Sequence, residues 1–233
     1  MRTVVAGVLR SGKRGAAAAD DLCLACLPLL GVDSAAVSLI DDVEIRSTFG
    51  ASADNARLLG ALAFTTGEGP CLDAARTMTA VLVPDLHADQ ELRWPAFGEG
   101  AERAGIRAVF TIPVRAGQVA FGTLDLSRST PGPLTMKQLA DAALVADAAA
   151  HILLTAAGDG GDDTGNTGPV YQPEQLASMD RVEVYRATGM IMAQLKIPSA
   201  LALIRLRAYA FAHDQPIAEV ARLVVSRELR LEP

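Results

Sequence analysis

The segment "IRAVFTIPVRAGQVAFGTLDLS" (106–127) decides the fold of the N-terminal part of the chain, because it contains two apolar strand patterns joined by a short turn. Residues 106–114 and 118–127 are rich in β-branched and aromatic side chains, and the glycine-containing triplet 115–117 separates them. Two such runs with a short glycine connection predict a β-hairpin. The hairpin is therefore expected to be part of an antiparallel sheet.

Further strands and helices alternate around this hairpin. Strand patterns occur at 35–40, 43–49 and 80–86, and helical patterns at 20–30, 53–62, 71–77, 94–104 and 135–154. The last helix begins with Thr135 and Gln138, whose spacing is that of a capping box. Antiparallel strands with helices inserted between them predict a compact α+β sandwich with flanking helices.

The chain changes character at "GDGGDDTGNTGP" (158–169), which contains no apolar side chain before its final proline and is typical of a flexible linker. Beyond it there are only helical patterns, at 174–195, 200–213 and 217–230, which predict a small all-α bundle of three helices. The predicted organisation is an N-terminal extension or helix (1–19), an α+β domain (20–155), a linker (156–171) and a three-helix domain (172–233).

Composition and charge limit the classes of function. The chain has 233 residues and a net charge of −6, which argues against non-specific coating of nucleic acid. Residues 1–170 hold 13 Lys+Arg against 20 Asp+Glu, whereas residues 171–233 hold 8 against 7. Apolar runs such as 142–154 are interrupted by charge, and the N-terminus lacks the pattern of a secretory signal. We expect a cytoplasmic protein without membrane contact.

Catalytic and metal-binding patterns are weak. Cys23 and Cys26 form a C-x-x-C, but the leucines around them predict two buried thiols on a helix and no redox pair. No second C-x-x-C and no histidine cluster supports a zinc site, and G-x-S-x-G, P-loop and H-E-x-x-H motifs are absent from the sequence. We expect no metal site, no catalytic residue and no enzymatic activity.

The second C-terminal helix carries two apolar strips and a polar row. Leu201, Ile204, Ala208 and Phe211 predict its core stripe, and Leu203, Leu206 and Ala210 form a second strip almost opposite. Between the two strips, Arg205, Tyr209 and His213 recur at intervals of four residues, and Arg222 lies on the outer side of the third helix. Cations beside aromatic rings suit single-stranded RNA, but the same spacing describes a solvated helix face.

The sequence "RATGMIMAQLKIPSALALIRLRAYAFAHDQPIAEVARLVVSREL" (186–229) closely resembles the ANTAR domain, an RNA-binding three-helix module of bacterial transcription antitermination regulators. The resemblance lies in Ala187, Gly189 and the methionines that follow, in "LRAYA" (206–210) and in "VARLVV" (220–225). It implies binding to paired hairpins in leader RNA, which prevents a terminator from forming. Thr188 stands where many family members carry lysine. The wheel positions and the resemblance together assign RNA contacts to Arg186, Arg205, Tyr209 and Arg222.

The N-terminal part resembles a GAF domain over about residues 20–155. "TGEGPCLDAA" (66–75), "VPDLHADQELRWPAF" (83–97), "AGIRAVFTIPV" (104–114) and "FGTLDL" (121–126) match in order. The resemblance implies a sensory domain that binds a small ligand or mediates dimerisation, and it leaves the ligand unidentified. The residue set that binds cyclic nucleotides and a histidine placed for haem are not recognisable in the sequence.

Cys71 is the candidate sensing residue of this domain, since it follows Gly69-Pro70 at the expected start of a helix whose N-terminus would favour a thiolate. The alternative, which we favour, is a small buried residue common to this type of GAF domain. Some GAF domains are free methionine-sulfoxide reductases with cysteines near this loop, but this chain has no second cysteine nearby in sequence.

The combined prediction is a regulator in which a GAF domain senses a signal and controls an ANTAR domain. The alanine-rich helix 135–154 and the family lead us to expect a homodimer. Gly189 is predicted to permit close approach of another bundle helix or a partner chain, because glycine inside a helix is otherwise unfavourable. The alternative is a sensing module whose C-terminal helices bind a protein, for which the strip formed by Leu203, Leu206 and Ala210 is suited.

Overall fold

The fold is taken from a computed structural model, which describes residues 1–41, 44–88, 93–158, 179–213 and 215–231. Apart from Thr65–Gly67, the described residues up to 158 form one compact unit, and those from 179 onward form a second. Each unit is described by itself below.

The first unit is a five-stranded antiparallel sheet with helices on both faces. The strands are β1 (Ser34–Asp41), β2 (Glu44–Ala51), β3 (Val81–Val83), β4 (Ala108–Ala116) and β5 (Val119–Arg128), in the order β2-β1-β5-β4-β3. The helices are α1 (Arg2–Arg10), α2 (Gly15–Leu30), α3 (Leu58–Thr66), α4 (Pro70–Thr77), α5 (Pro95–Arg103) and α6 (Met136–Gly158), and a 3-10 turn (Asp54–Arg57) precedes α3. The predicted α+β architecture is confirmed.

The predicted hairpin lies at the centre of this sheet. β4 and β5 pair along almost their whole length, from Ala108 with Arg128 to Ala116 with Val119. Gly117 has a φ of 58°, a left-handed conformation that glycine adopts without strain at a tight turn. β5 also pairs with β1 and is therefore the central strand of the sheet, and its residues 122–127 are buried.

The two faces of the sheet are covered by different helices, and side-chain alternation along β5 separates them. On one face, a side chain at Gly122 would meet Leu153 of α6. Val109 pairs with Ser127 on the other face and belongs to an apolar cluster with residues of α3, α4 and α5. Asp125 is three residues from Gly122 and two from Ser127, so it lies on the same face as Val109. We call this face, which α3, α4 and α5 cover, the α4 face.

α6 is a core helix with a capping box as predicted. The Gln138 backbone N–H donates to the Thr135 hydroxyl at 3.2 Å, and the Thr135 N–H donates back to the Gln138 side chain at 2.8 Å. Its Ala142, Ala149 and Leu153 are fully buried. α6 extends to Gly158, so the first three residues of the predicted linker are helical, and residues 159–171 lie outside the described part of the chain.

Among the described residues, Met136–Ala157 is long and apolar enough to cross a membrane, with a mean hydropathy of 1.5. The helices Arg181–Leu195 and Ser199–Ala212 are long and apolar enough only when taken together, and they are bent by 109° at the break between them. The expectation that no segment has the composition of a membrane span is therefore wrong for α6. Of its most apolar window, 44% is buried within the fold, and core helices of globular domains pass the same test.

The second unit consists of α7 (Met179–Leu195), α8 (Ser199–Ala212) and α9 (Ile217–Val225) within the described residues. α7 contributes Val184, Ala187 and Ile191 to its interior, and α9 contributes Val220 and Val224. The predicted start of the first helix, 174–178, lies outside the described residues. The three helices are present as expected, and their assignment as an ANTAR domain stays a prediction.

The core face of α8 is the opposite of the one predicted. Its buried residues are Ala202, Leu203, Leu206 and Ala210, each at most 3% exposed. The expected core stripe, Leu201, Ile204, Ala208 and Phe211, is exposed. The strip that had suggested a protein partner therefore fills the interior of the unit, and the apolar surface lies on the other side of the helix.

Candidate functional site

A buried carboxyl group lies at the centre of the α4 face of the sheet. Asp125 of β5 accepts hydrogen bonds from the hydroxyls of Thr111 (2.9 Å), Thr123 (3.0 Å) and Ser38 (3.1 Å). These residues come from three adjacent strands, and all four are at most 2% exposed. Ser34 and Ser127 extend the polar surface, with their hydroxyl oxygens 2.5 Å apart. We call Asp125, Thr111, Thr123 and Ser38 the Asp125 cluster.

The electrostatics of this cluster are unusual for a domain interior. Burial raises the pKa of Asp125, although the three hydroxyl donors oppose that rise by stabilising the charged form. Among the ion pairs of the described residues, none involves Asp125. A buried carboxylate without a cation is unfavourable, so the cluster suits a bound cation or hydrogen-bond donor, or a proton on Asp125.

Helix α4 lies on the same face and carries Cys71 near its start, as predicted. Cys71 belongs to the apolar cluster with Val83 and Val109 and is 2% exposed. Burial raises the pKa of the Cys71 thiol, and the negative charge of Asp125 raises it further. These observations favour a buried thiol at this position, because loss of solvent outweighs the backbone N–H groups at the start of α4, and a sensing role of Cys71 stays a prediction. Cys23 and Cys26 are free buried thiols on α2, as expected.

The loop before α4 is tied to the start of α5. The Glu68 carboxylate accepts hydrogen bonds from the backbone N–H groups of Ala96 (2.7 Å) and Phe97 (3.1 Å), which are among the unpaired donors of the first turn of α5. Gly69 has a φ of 145°, and a side chain there would press against Phe97 and Ala63. In addition, the Trp94 indole donates to Asp73 of α4 at 3.1 Å. The contacts of Glu68 and Asp73 thus link the loop before α4, and α4 itself, to the start of α5.

Asp125 lies in "FGTLDL" but is not among the site residues predicted from the sequence. The available signal was the alternation Thr123, Asp125, Ser127 with Leu124 and Leu126 between them. That pattern is also typical of a strand with one solvated face. It identifies a buried polar site only once β5 is known to be central and covered by helices on both faces.

The predicted RNA-binding residues lie on three different helices of the second unit. Arg186 is on α7 and forms an ion pair with Glu183 at 3.1 Å, and Arg222 is on α9 with Glu219 at 3.9 Å. Arg205 and Tyr209 follow each other by one turn on α8. The Tyr209 ring stacks on His213 with a centroid separation of 3.9 Å, so one of its faces is already covered.

Gly189 is exposed in α7, and a side chain there would meet nothing within 4 Å. The prediction that it lets another bundle helix approach is therefore wrong, and approach by a partner from outside the chain stays a prediction. Thr188 is buried, and its hydroxyl donates to the Val184 carbonyl at 2.7 Å. The position at which many ANTAR sequences carry lysine thus faces inward in this chain. No cluster of three potential metal ligands occurs among the described residues.

The family model of the GAF domain matches residues 16–153, which is more than half of the chain. The chain belongs to the GAF domain family. The matched range contains the sheet, the Asp125 cluster and α4. GAF domains are typically ligand- or signal-sensing modules, so the first unit is a sensory type of domain. The match leaves the predicted domain boundaries as predictions.

Solved GAF structures have the same fold. The GAF domain of an Acinetobacter phosphoenolpyruvate-protein phosphotransferase aligns with a TM-score of 0.52 at 12% identity, covering 68% of this chain and 93% of its own. The GAF domain of the corresponding Coxiella burnetii protein aligns with the same TM-score and coverage at 15% identity. At these identities the likeness concerns the fold alone. No curated protein matches the sequence.

Proposed function

We propose that the protein is a signal-responsive transcription antitermination regulator. Its GAF domain senses a small ligand or redox signal and controls binding of the C-terminal helices to hairpins in leader RNA. The observation that carries the proposal is the joining of a GAF domain to a three-helix unit with the sequence features of an ANTAR domain. The proposal places the protein in the cytoplasm and makes it a homodimer.

Charge supports RNA as the partner of the second unit. Residues 171–233 contain eight Lys and Arg against seven Asp and Glu, whereas residues 1–170 contain 13 against 20. The C-terminal part of the chain is therefore better suited to bind phosphates than the acidic first part. Arg186 and Arg222 are both largely exposed, at 64% and 55% of their side-chain surface.

The Asp125 cluster supports a small ligand as the signal more directly than a redox change. A buried carboxylate surrounded by hydroxyls can accept hydrogen bonds from an ammonium, guanidinium or hydroxyl group. A thiol whose pKa is raised by burial, as in Cys71, reacts slowly with oxidants, because the thiolate is the reactive form. We therefore propose a polar or cationic small molecule as the ligand.

The direct test is binding of the intact chain to a leader RNA with two hairpins, measured by electrophoretic mobility shift or filter binding. We expect tight binding, and a strong loss of affinity in the double variant Arg205→Ala, Arg222→Ala. Failure of the intact chain to bind any such RNA would contradict the proposed function. Undiminished binding by the double variant would contradict only the assignment of these contacts. Sedimentation of the same samples tests the dimer.

We further propose that the protein is not an enzyme, and in particular not a methionine-sulfoxide reductase. That activity needs a nucleophilic cysteine and a thiol to resolve the oxidised product. Cys71 is enclosed by apolar side chains, and Cys23 and Cys26 are buried on α2. Turnover of free methionine sulfoxide that disappears in Cys71→Ser would overturn this proposal.

A further inference from the structure

The outward face of α8 exposes large apolar side chains in a continuous row. Leu201 is 42% exposed, Ile204 56% and Phe211 73%. Ala208 lies between the last two and is also exposed. Leu201 and Phe211 are ten helical steps apart, so the row is roughly 15 Å long at the rise of an α-helix. We call these four residues the outer strip of α8.

The outer strip does not belong to the hydrophobic core of the second unit. The opposite side of the same helix supplies Leu203, Leu206 and Ala210 to an interior that is already closed, since each is at most 3% exposed. An isolated exposed leucine needs no explanation, but a row of three large apolar side chains on one helix face indicates a binding surface.

The charge of α8 indicates what kind of partner covers the strip. The helix contains Arg205 and Arg207 and no acidic residue. At 100° per residue these two arginines lie on either side of the outer strip. Arg207 also precedes Phe211 by four residues, which places the two side chains one above the other on the helix surface. A flat aromatic ring exposed between cations is the combination that binds unpaired nucleotides, because the ring stacks on a base while arginine binds phosphate.

We propose that the outer strip of α8 is the base-contacting surface of the protein and that Phe211 stacks on an unpaired base in the loop of an RNA hairpin. The inference rests on the proposed RNA-binding function and adds the residue that reads the unpaired nucleotides. Phe211 replaces Tyr209 as the residue expected to stack on a base, because one face of the Tyr209 ring is covered by His213.

A second copy of this chain fits the strip less well than RNA. Pairing of two α8 helices through their outer strips would bring Arg205 and Arg207 of both copies together. Like charges in such proximity oppose association. An anionic partner that also presents flat apolar faces satisfies both features of the surface.

The first experiment compares RNA affinity in the intact chain and in Phe211→Ala. We expect the affinity for a two-hairpin RNA with unpaired loops to fall by roughly 5- to 150-fold, the range for loss of one base–aromatic stack. The slope of affinity against salt concentration should not change, because no cation is removed. Phe211→Leu should lose a similar amount and Phe211→Tyr should retain most of the affinity. Met136→Ala is the control, since Met136 is an 81% exposed residue of α6.

The second experiment detects the stack itself. Phe211→Trp places an indole at the site, and its fluorescence should be quenched by the hairpin RNA but not by a fully paired duplex of the same length. The native Trp94 is 5% exposed and serves as the reference signal in the unsubstituted chain.

The outcomes are distinguishable. If the intact chain binds no RNA, the proposed function fails and this inference fails with it. If it binds RNA and Phe211→Ala binds equally well, the function survives and the inference is overturned. The same holds if Phe211→Ala changes the sedimentation of the protein and leaves RNA affinity intact, which would show that a protein partner covers the strip.

Discussion

At the scale of single residues, the ionisation of Asp125 should be visible in the stability of the protein. Its raised pKa means that the folded state holds the proton more tightly than the unfolded chain does. Stability from this group is therefore greatest at acidic pH and falls as the pH rises through the raised pKa. The loss is about 1.4 kcal/mol for each unit by which the pKa is raised.

We predict that Asp125→Asn is more stable than the natural chain at neutral pH and loses this advantage as the pH falls towards 4. Asparagine has nearly the same shape and carries no charge. Thr111→Val should have the opposite effect, destabilising chiefly at neutral pH, because it removes a donor to the carboxylate. Urea unfolding over a series of pH values measures both. A constant difference between Asp125→Asn and the natural chain at all pH values would contradict the burial of a charged group.

Gly189 gives a second prediction at this scale. Its space is open within the described chain, so Gly189→Ala should stabilise α7 by up to about 1 kcal/mol, the usual gain in a helix interior. Circular dichroism during thermal unfolding measures this gain. A loss of stability would show that a copy of the chain packs against the glycine. A gain of stability combined with weaker RNA binding would show that RNA approaches there.

At the scale of elements, α8 shows why a helical wheel can select the wrong face. Both of its sides are apolar, so periodicity alone cannot distinguish Leu203 and Leu206 from Ile204 and Phe211. The buried face of α8 is the one against which α7 and α9 pack, and the sequence of α8 alone does not specify that face. By contrast, the β4–β5 hairpin and the capping box of α6 depend on neighbouring residues, and the sequence predicts both correctly.

The Glu68 contact to α5 likewise joins residues 28 positions apart and has no local signal. We predict that Glu68→Ala lowers stability by about 1 kcal/mol, because two backbone donors at the start of α5 lose their acceptor. Glu68→Gln keeps a side-chain oxygen and should restore most of the loss. Fluorescence of Trp94, which precedes α5 directly, reports the unfolding. Equal destabilisation by both variants would show that the charge of Glu68 matters more than its hydrogen bonds.

At the scale of the whole molecule, opposite charge balances separate the two parts of the chain. Residues 1–170 carry an excess of seven acidic groups, whereas residues 171–233 carry eight cations against seven acids. The overall charge of −6 is therefore a poor guide to whether the C-terminal part of the chain can bind RNA. Under the proposed function, the acidic first part of the chain would repel phosphate, so we expect RNA to bind at the C-terminal helices.

We predict that this division appears in the salt dependence of RNA binding. Arg222→Ala should reduce the slope of the logarithm of affinity against the logarithm of salt concentration by about 1, as expected for loss of one phosphate contact. Arg103→Ala is a matched control on α5 of the GAF domain, where the exposed arginine also pairs with a glutamate on its own helix. It should leave the slope unchanged, and any change in affinity should be a slight decrease, because removal of a cation makes the GAF domain more acidic. Equal effects of the two substitutions would show that RNA responds to total charge and does not bind the C-terminal helices in particular.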